Sequence, residues 1–455
     1  MKKQIRYILL MAVLTACSGT KNLTRPQLDL PARLAGNATD TATLADVEWW
    51  QLYADSSLVY IIRQTLEHNR DLGVAAARVE EMRQLYGIDK ANFLPTLTAN
   101  AYADRETNDY YGEKSLQDPE IGLKATLAWE VDLWGGLTAA KKRGYADWLQ
   151  SVENCRAMRI TLIAEAASAY FRLLALDREL AIVKRTLFTR EENLIKAKHR
   201  FEGGLTSETT YNQAQVEYAT TAALIPELER RLAVQKNAIT LLMGRYPSEA
   251  LGRSDMLLDR ELPHEVPVGV PSTLLERRPD LRASEAALQS ALQGVGVAYA
   301  NRFPRLRIGL AGGLENNDFS HFFQSPFSYI VGSIAGTVLD FGRNKKRYKA
   351  AIARYEQARL GYEQNVLTAF HEVDNAARTF RLSRQTAQRR QELLDAAQKY
   401  ARLAYAQYAA GVIPYIDVLD AQRRYFEAQV GHSNAVRDQY LALVTLYKCL
   451  GGGWR

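Results

Sequence analysis

Cysteine, histidine and methionine are scarce in this sequence, and their scarcity argues against several kinds of site. The 455 residues hold three cysteines, six histidines and six methionines, with no CxxC pair and no HExxH motif. Zinc sites need cysteine or histidine ligands at short, regular spacing, so we expect no metal site. Neither a P-loop nor a GxSxG element occurs. The sequence therefore predicts no metal, no cofactor and no enzymatic activity.

Two of the cysteines, Cys155 and Cys449, lie far apart in helix-like sequence. We interpret both as small, buried apolar residues. A pairing between them stays open at this point, because spacing alone does not decide it.

Long apolar runs and blocks of basic residues are also missing. After the N-terminus no stretch is apolar enough to cross a bilayer as a helix, which takes about 20 residues. The formal charge is +7, and part of it belongs to an N-terminal segment that we expect to be removed. Without Lys/Arg blocks or a nucleic-acid motif, no nucleic-acid partner is expected.

The N-terminus has the order of an export signal. Lys2, Lys3 and Arg6 precede a short apolar core at 7–14, and the sequence Leu14-Thr15-Ala16-Cys17 follows. This ending resembles the lipobox of bacterial lipoproteins, in which the cysteine thiol is acylated and becomes the new N-terminus. An ordinary signal peptide that happens to contain a cysteine is the alternative.

The lipobox predicts a signal peptide over 1–16, a covalent lipid on Cys17 and an acylated tail over 17–56. Ser18 follows the cysteine, which resembles the pattern that sorts lipoproteins to the outer membrane of Gram-negative bacteria.

The rest of the sequence is duplicated. A constant offset of 209 residues relates Asp71 to Asp280, Asn92 to Asn301 and Pro95 to Pro304, and an offset of 207 relates Gly204 to Gly411. The unit is far too long for a solenoid repeat of ~20–50 residues, so we expect two equivalent halves. They are assigned to 57–250 and 271–455, with a linker at 251–270.

Alternation predicts two strands in each half. Residues of about 96–104 and 120–132 alternate apolar and polar with a period of two, and a polar loop at 105–119 separates them. Segments at about 305–314 and 327–340 repeat this plan, although alternation in the last segment is poor. This is the pattern and length of transmembrane strands. Two hairpins of a soluble sheet are the alternative.

Four strands cannot close a membrane barrel, since known single-chain barrels have at least ~8. An open edge in lipid would leave backbone groups unpaired. The strands must then be shared between chains, and both a dimer and a trimer give a closed barrel.

Long helical runs follow the strands of each half. Their positions are about 138–201 and 208–243 in the first half, and about 344–408 and 415–450 in the second. Shorter runs at about 57–91 and 271–299 precede the strands. A run of some 64 residues makes a rod of roughly 95 Å, which needs neighbours along both sides.

Several motifs, spread in order over the mature chain, resemble those of the TolC-type outer-membrane efflux proteins, specifically the lipoprotein branch. They are Trp49-Trp50-Gln51-Leu52, Glu130-Val131-Asp132-Leu133-Trp134-Gly135, Leu274-Leu275-Glu276-Arg277-Arg278-Pro279-Asp280-Leu281-Arg282-Ala283, Leu339-Asp340-Phe341-Gly342, the segment from Tyr408 to Gln422, and Gly451-Gly452-Gly453-Trp454.

The resemblance implies a mainly α protein with a transmembrane β part. Three chains would form a 12-stranded β-barrel in outer-membrane lipid, continuous with a periplasmic α-helical barrel. Its partners would be a periplasmic adaptor protein and an inner-membrane RND-type transporter. The homotrimer would passively conduct drugs or other small amphiphiles. A non-conducting structural or adhesive lipoprotein of the outer membrane is the alternative.

Four residues mark the points where strands become helices. Gly135 and Gly342 permit the bend, and Asp132 and Asp340 can cap the helix that follows.

The sharpest functional candidates are Asp417 and Asp420, one helical turn apart after a glycine turn. In the family the matching aspartates narrow the closed periplasmic entrance, and Tyr408 matches a position that helps to latch it. Rings of carboxylates would favour cations. The first half has the uncharged Thr210 and Gln213 at the matching positions. A solvated helix face, or a charge that suits the helix dipole, is the alternative.

Some family members carry an arginine where this chain has Ile413, which puts an arginine-based latch in doubt. The glycine turns at Gly203, Gly204 and Gly411 are the expected docking surface for the adaptor.

Overall fold

A computed structural model describes residues 43–48, 55–108, 111–112, 116–247, 251–253, 258, 262, 267, 271–337 and 339–453. The expected signal peptide, Cys17, most of the tail and of the linker, Trp49-Trp50-Gln51-Leu52 and Trp454 lie outside these residues.

The chain divides into two compact units. One contains 77–152 and 283–364, and includes all four strands. The other contains the described residues of 43–76, 153–282 and 365–453, and is built from helices.

The four strands form one antiparallel sheet in the order β1-β2-β3-β4. Their bounds are Thr96–Asn108 for β1, Leu116–Val131 for β2, Arg305–Asn316 for β3 and Pro326–Ala335 for β4.

Three of the expected strand bounds are wrong: the end of β1, the start of β2 and the end of β4. The loop at 105–119 is much shorter, because the backbone of Arg105–Asn108 pairs with Leu116–Pro119 although the alternation of apolar residues has ended there. The last strand stops at Ala335 rather than 340, since its partner β3 begins only at Arg305. Pro304 precedes that residue and has no N–H to donate to a ladder.

The register gives the sheet one mainly apolar face and one face on which polar and aromatic side chains are mixed. Leu97, Leu127, Leu310 and Ile330 form a single row across all four strands. The ambiguous alternation of β4 is resolved by its partner, because Ile330 and Ile334 pair with Leu310 and Leu306 on the apolar face. The opposite face carries Tyr102, Lys124, Glu315, Phe327, Tyr329 and Val331.

Three of the four helices of each repeat match their counterparts in length. In chain order they are α1 Ser56–His68, α2 Arg70–Ala91, α3 Gly136–Glu202, α4 Glu208–Leu242, α5 Pro271–Arg277, α6 Pro279–Ala300, α7 Arg343–Ala409 and α8 Tyr415–Cys449. Helices α3 and α7 both have 67 residues, α4 and α8 both have 35, and α2 and α6 both have 22. We call α3 with α4 the first helix pair and α7 with α8 the second helix pair.

The runs expected at 57–91 and 271–299 are each two helices rather than one. Asn69 is extended and its Oδ1 accepts from the N–H groups of Asp71 and Leu72, which starts α2 afresh. Arg278 precedes Pro279, and a residue before proline is disfavoured in a helix.

Asn69 and Arg278, the residues at which these helices are interrupted, also donate hydrogen bonds to the ends of other helices. Asn69 Nδ2 donates to the carbonyl of Leu242 at 3.0 Å, and Arg278 Nη1 donates to that of Cys449 at 3.3 Å. These carbonyls belong to the last residues of α4 and α8 and have no partner within their own helices. Asn69 and Arg278 are equivalent positions of the two repeats, and each satisfies the last carbonyl of a helix with a different side chain.

Part of the core of the helical unit lies between α3 and α8. Tyr170, Phe171 and Leu443 are fully buried, and the rings of Phe171 and Tyr440 lie 4.8 Å apart. Cys155 and Cys449, the two cysteines of the described part, are free thiols, which answers the question of their pairing. Within the described residues no helix is long and apolar enough to cross a membrane.

Candidate functional site

The turns that end the two helix pairs share one backbone geometry. Gly204 and Gly411 have φ of 70° and 76°, a conformation that costs an L-residue energy and that glycine adopts freely. Leu205 N–H donates to Arg200 O at 2.8 Å, and Val412 N–H donates to Gln407 O at 2.9 Å. This is the Schellman motif in both repeats, and it closes each helix before the chain reverses. Gly203 donates to His199 O at 3.0 Å just before the first of these glycines.

Aromatic rings flank each turn. Phe201 and Tyr211 stack at 5.9 Å beside the first turn, and Tyr408 and Tyr415 lie 5.3 Å apart beside the second. Burial, with smaller contributions from Tyr408 and Glu217, raises the pKa of Tyr415 to about 12.

Tyr408 also contacts the first helix pair. The Arg200 guanidinium lies 5.5 Å from the Tyr408 ring centroid, within the range of a cation–π contact. Ile413 is half-buried in the second turn.

Asp417 and Asp420 lie in the first turns of α8, and both are partly exposed. Asp420 is not an isolated charge, because Arg424 Nε lies 2.8 Å from its Oδ2. Sequence reasoning missed this arginine, although its spacing of four residues from an aspartate on a helix was the available signal. In the first repeat, Ser207 caps α4, and its Oγ accepts from Thr210 N–H at 3.4 Å.

A buried ion cluster lies 13 residues from the glycine of the first turn, about 20 Å along a helix. Glu217 of α4 accepts at Oε2 from Arg190 Nη1 of α3 at 3.0 Å, and at Oε1 from Arg423 Nε of α8 at 2.7 Å. Arg190 Nη1 also donates to Thr221 Oγ1 and to the Glu217 carbonyl. We call Arg190, Glu217, Thr221 and Arg423 the Glu217 cluster.

Within the Glu217 cluster, Arg190 and Glu217 are strongly shielded from water and Arg423 is not. The side chains of Arg190 and Glu217 are 8% and 9% exposed, whereas Arg423 is half exposed. Burial lowers the pKa of Arg190, the nearby Glu217 carboxylate raises it, and Arg423 lowers it further. Breaking a buried pair of this kind by removing one partner typically costs about 3–5 kcal/mol, since the other charge stays buried alone.

Weaker polar contacts join the two helix pairs between the cluster and the turns. Asn193 Nδ2 lies 3.4 Å from Gln422 Oε1, and Lys196 Nζ lies 3.4 Å from Tyr405 Oη. One face of α3 carries Arg190, Asn193, Lys196 and Arg200, which are three or four residues apart. This spacing is visible in the sequence, but the residues that the four side chains contact on other helices are not.

The two points where strands become helices are capped by aspartates. Asp132 accepts from Leu137 N–H at 2.9 Å and from Thr138 N–H at 2.8 Å. Asp340 accepts from Gly342 N–H and Asn344 N–H, both at 2.9 Å. These backbone hydrogen bonds, that of Asn344 first, lower the pKa of Asp340.

The glycines beside these aspartates have positive φ, 71° at Gly135 and 81° at Gly342. The first repeat adds an anchor, because Trp134 Nε1 donates to Pro304 O at 2.7 Å and its ring stacks on Phe303 at 4.6 Å. Among the described residues no group of three or more His, Cys, Asp or Glu side chains could hold a metal ion.

Comparison with known proteins identifies the family. The sequence model of the family described as "Outer membrane efflux protein" matches residues 61–245 and 270–452, one match in each repeat. The chain belongs to the outer membrane efflux protein family. It is an efflux channel component of the outer membrane, and no enzyme family was found among its matches.

Two curated relatives come from Pseudomonas putida. The probable efflux pump outer membrane protein TtgC is 28% identical over 97% of this chain and 94% of its own length. The solvent efflux pump outer membrane protein SrpC is 32% identical over 89% of this chain and 87% of its own length.

The fold of this efflux protein matches solved channels. The open state of the Neisseria gonorrhoeae MtrE outer membrane channel superposes with a TM-score of 0.86 at 27% identity. The match covers 96% of this chain and 99% of that one.

Proposed function

We propose that three copies of this chain form the outer-membrane exit duct of a tripartite efflux system. The duct conducts small amphiphiles passively from a periplasmic adaptor protein and an inner-membrane RND-type transporter to the exterior. The observation that carries the proposal is the sheet, in which one face has an apolar row across all four strands and the opposite face carries the polar side chains of Tyr102, Lys124 and Glu315.

The two faces suit a barrel wall. The side with Leu127, Leu310 and Ile330 can meet lipid, and the side with Tyr102, Lys124 and Glu315 can meet a water-filled lumen. A soluble sheet would leave this apolar face exposed to water, at a cost of about 25 cal/mol for each Å².

The edges of the sheet support closure by copies of the same chain. Strands β1 and β4 are the outer strands, and the described residues supply neither with a second partner strand. Pairing β4 of one chain with β1 of the next satisfies both edges, and three chains give twelve strands.

The proposed entrance lies at the turns of the two helix pairs. In a trimer Asp417 and Asp420 form two rings of carboxylates that favour cations, with Arg424 offsetting the Asp420 ring. Tyr408 helps to close the entrance through its contact with Arg200. The turns at Gly203, Gly204 and Gly411 receive the adaptor, and the covalent lipid on Cys17 anchors the chain in outer-membrane lipid.

The substrates that relatives carry support small apolar or amphiphilic cargo. SrpC is described as a solvent efflux protein, and we propose a similar class for this chain. The duct itself need not discriminate strongly, because the transporter selects what enters it.

The test combines mass measurement with conductance. We expect the detergent-purified protein to have the mass of three chains and to give a small, cation-selective conductance in planar bilayers. Asp417→Asn with Asp420→Asn should raise the conductance and weaken the preference for cations, whereas Thr210→Ala with Gln213→Ala, at the matching positions of the first repeat, should change neither.

A monomeric mass without any conductance would instead support a non-conducting structural lipoprotein. Conductance that the aspartate variant leaves unchanged would keep the channel and remove these two residues from the entrance.

A further inference from the structure

The end of α2 and the start of α3 lie beside the end of the sheet where β1 begins and β2 ends, all within the strand-containing unit. Trp129 of β2 donates from Nε1 to the carbonyl of Phe93, just after α2, at 3.0 Å. The Lys141 ammonium of α3 lies 5.3 Å from the centroid of the Phe93 ring. The Lys90 ammonium of α2 lies 4.3 Å from the centroid of the Tyr86 ring. Two cations, each against an aromatic ring, therefore lie beside this end of the sheet.

Trp129 places this junction next to the apolar face of the sheet. It lies two residues after Leu127, and side chains two apart on a strand share a face. Trp129 is 42% exposed, and Leu94, next to Phe93, is 66% exposed. The Phe93 carbonyl and the Lys141 ammonium therefore lie where the face proposed to meet lipid ends.

The second repeat has the same kind of contact with the two partners exchanged. The Arg302 guanidinium lies 5.2 Å from the ring centroid of Tyr348 and 5.6 Å from that of Tyr299. Arg302 is the counterpart of Phe93 at the offset of 209 residues. Tyr348 is the counterpart of Lys141 at the offset of 207 residues, which also relates the starts of α3 and α7. Both repeats thus place a cation against a ring at this junction, although the side chains differ.

Lys90, Lys141 and Arg302, which we call the junction cations, are exposed, and no carboxylate of the described residues forms an ion pair with them. Asp89, the acidic residue beside Lys90, interacts with Arg143 instead. A contact with the face of a ring leaves N–H groups of an ammonium or a guanidinium able to donate elsewhere. The junction cations are therefore held in position and keep donors that can bind an anion.

Further cations lie near the starts of the two long helices. All are exposed and within the first eight residues of their helix, about 12 Å along it. They are Lys142, Arg143, Lys345, Lys346, Arg347 and Lys349. Neither 136–146 nor 341–355 contains an acidic residue, and Asn344 and Tyr348 interrupt the second run, so it is not a continuous basic block. The headgroup layer of a bilayer is roughly 5–8 Å thick on each side, so this positive charge lies within reach of it.

We propose that the junction cations bind the phosphate groups of anionic phospholipids in the leaflet of the outer membrane that faces the periplasm. The apolar face of the sheet lies among the acyl chains, Trp129 lies at the interface, and the lysines extend toward the headgroups. An anionic lipid is preferred because its net charge is negative, whereas phosphatidylethanolamine carries an ammonium that cancels its phosphate charge. This inference rests on the proposed placement of the apolar face in lipid, and it adds a partner that conduction alone does not need.

The experiment titrates the detergent-purified protein with dioleoylphosphatidylglycerol, dioleoylphosphatidylethanolamine or inorganic phosphate and records the melting temperature. A ligand that binds only the folded protein raises this temperature according to its concentration and affinity, so each titration gives an apparent affinity. We expect the wild type to bind phosphatidylglycerol at least about fivefold more tightly than phosphatidylethanolamine, which corresponds to ~1 kcal/mol. Inorganic phosphate should not raise the melting temperature, because it lacks the acyl chains that contact the apolar face.

Two variants test the charge of the junction cations. Lys90→Gln combined with Lys141→Gln and Arg302→Gln removes all three charges and should lower the affinity for phosphatidylglycerol to that for phosphatidylethanolamine. Lys90→Arg combined with Lys141→Arg keeps the charges and should keep the affinity of the wild type. Single-channel conductance of each variant shows whether the channel still forms.

The matched control removes the same charges far from the sheet. Lys198 of α3 and Lys399 and Arg402 of α7 are exposed, and Lys198 lies roughly 85 Å along α3 from Lys141. Lys198→Gln combined with Lys399→Gln and Arg402→Gln should leave the affinity for both lipids at the value of the wild type.

The outcomes distinguish this inference from the proposed function. If the wild type and the triple variant of the junction cations conduct and bind phosphatidylglycerol equally well, the lipid site is wrong and the channel stands. An equal loss of affinity in the control would mean that net charge alone attracts the lipid, which also overturns the site. Stabilisation by inorganic phosphate as large as that by phosphatidylglycerol would identify a site for free anions instead. If the wild type neither conducts nor binds either lipid, both proposals fail together.

Discussion

The two helix pairs have the same backbone and different side chains. Helices of 67 and 35 residues recur, and each pair turns at a glycine of positive φ in the same hydrogen-bonding pattern. The charges differ, because Thr210 and Gln213 stand where the second pair has Asp417 and Asp420. A duplicated fold therefore keeps the residues that its backbone needs, while the residues that join or charge its surfaces diverge.

The largest expected difference in stability loss between matching substitutions of the two repeats is at Glu217 and its counterpart Arg424. Glu217→Ala leaves the buried Arg190 without a carboxylate and should lower the free energy of unfolding by about 3–5 kcal/mol. Arg424→Ala removes an exposed pair on one helix and should cost about 0.3–0.5 kcal/mol. Denaturant unfolding of the detergent-solubilised protein, followed by circular dichroism, measures both. Equal losses of unfolding free energy would mean that burial of the Glu217 cluster adds nothing to stability.

A second difference is expected where strands become helices. Trp134 stacks on Phe303 and donates to Pro304 O, whereas its counterpart Phe341 is 88% exposed. Trp134→Ala should cost roughly 2 kcal/mol, from the lost ring pair and hydrogen bond. Phe341→Ala should leave the melting temperature in the same detergent almost unchanged. If Phe341→Ala lowered the melting temperature more than Trp134→Ala, the contacts of Trp134 would not be the stronger of the two.

Substitution of the turn glycines should lower stability by the same amount in both repeats. Nothing lies within 4 Å of a Cβ added at Gly204 or Gly411, so only the positive φ opposes alanine. Each Gly→Ala change should cost about 1–2 kcal/mol, the penalty of the left-handed conformation for an L-residue. Melting temperatures of the two variants should agree within error. A clear difference would show that one turn makes further contacts in the assembly.

The smallest effect on stability is expected from the half-buried cap Asp340. Its pKa is lowered in the folded chain, so its contribution to stability is fully present above the unfolded pKa and is lost as the pH falls through the folded value. The difference in melting temperature between the wild type and Asp340→Asn should therefore shrink as the pH falls through the acid range. A difference that does not change with pH would assign the effect to packing rather than to ionisation.

Much of this architecture could be predicted from residues close together in sequence. The period of two marked the strands, and the glycine turns and aspartate caps depend on neighbours within about six residues. Strand ends were less predictable, because pairing of Arg105–Asn108 continues after the apolar pattern stops. The break at Asn69 was missed since an asparagine inside a helical pattern looks ordinary until its cap is seen.

The sequence by itself determined the duplication, the order of strands and helices, the glycine turns and the family. These follow from local periodicity and from the conformations open to each residue. Only the tertiary structure decided which face of the sheet receives Ile330, that Asn69 and Arg278 satisfy the ends of α4 and α8, and that Glu217 joins Arg190 to Arg423. Glu217 and Arg423 are 206 residues apart, and such pairs depend on how whole helices align when they pack, which no local pattern encodes.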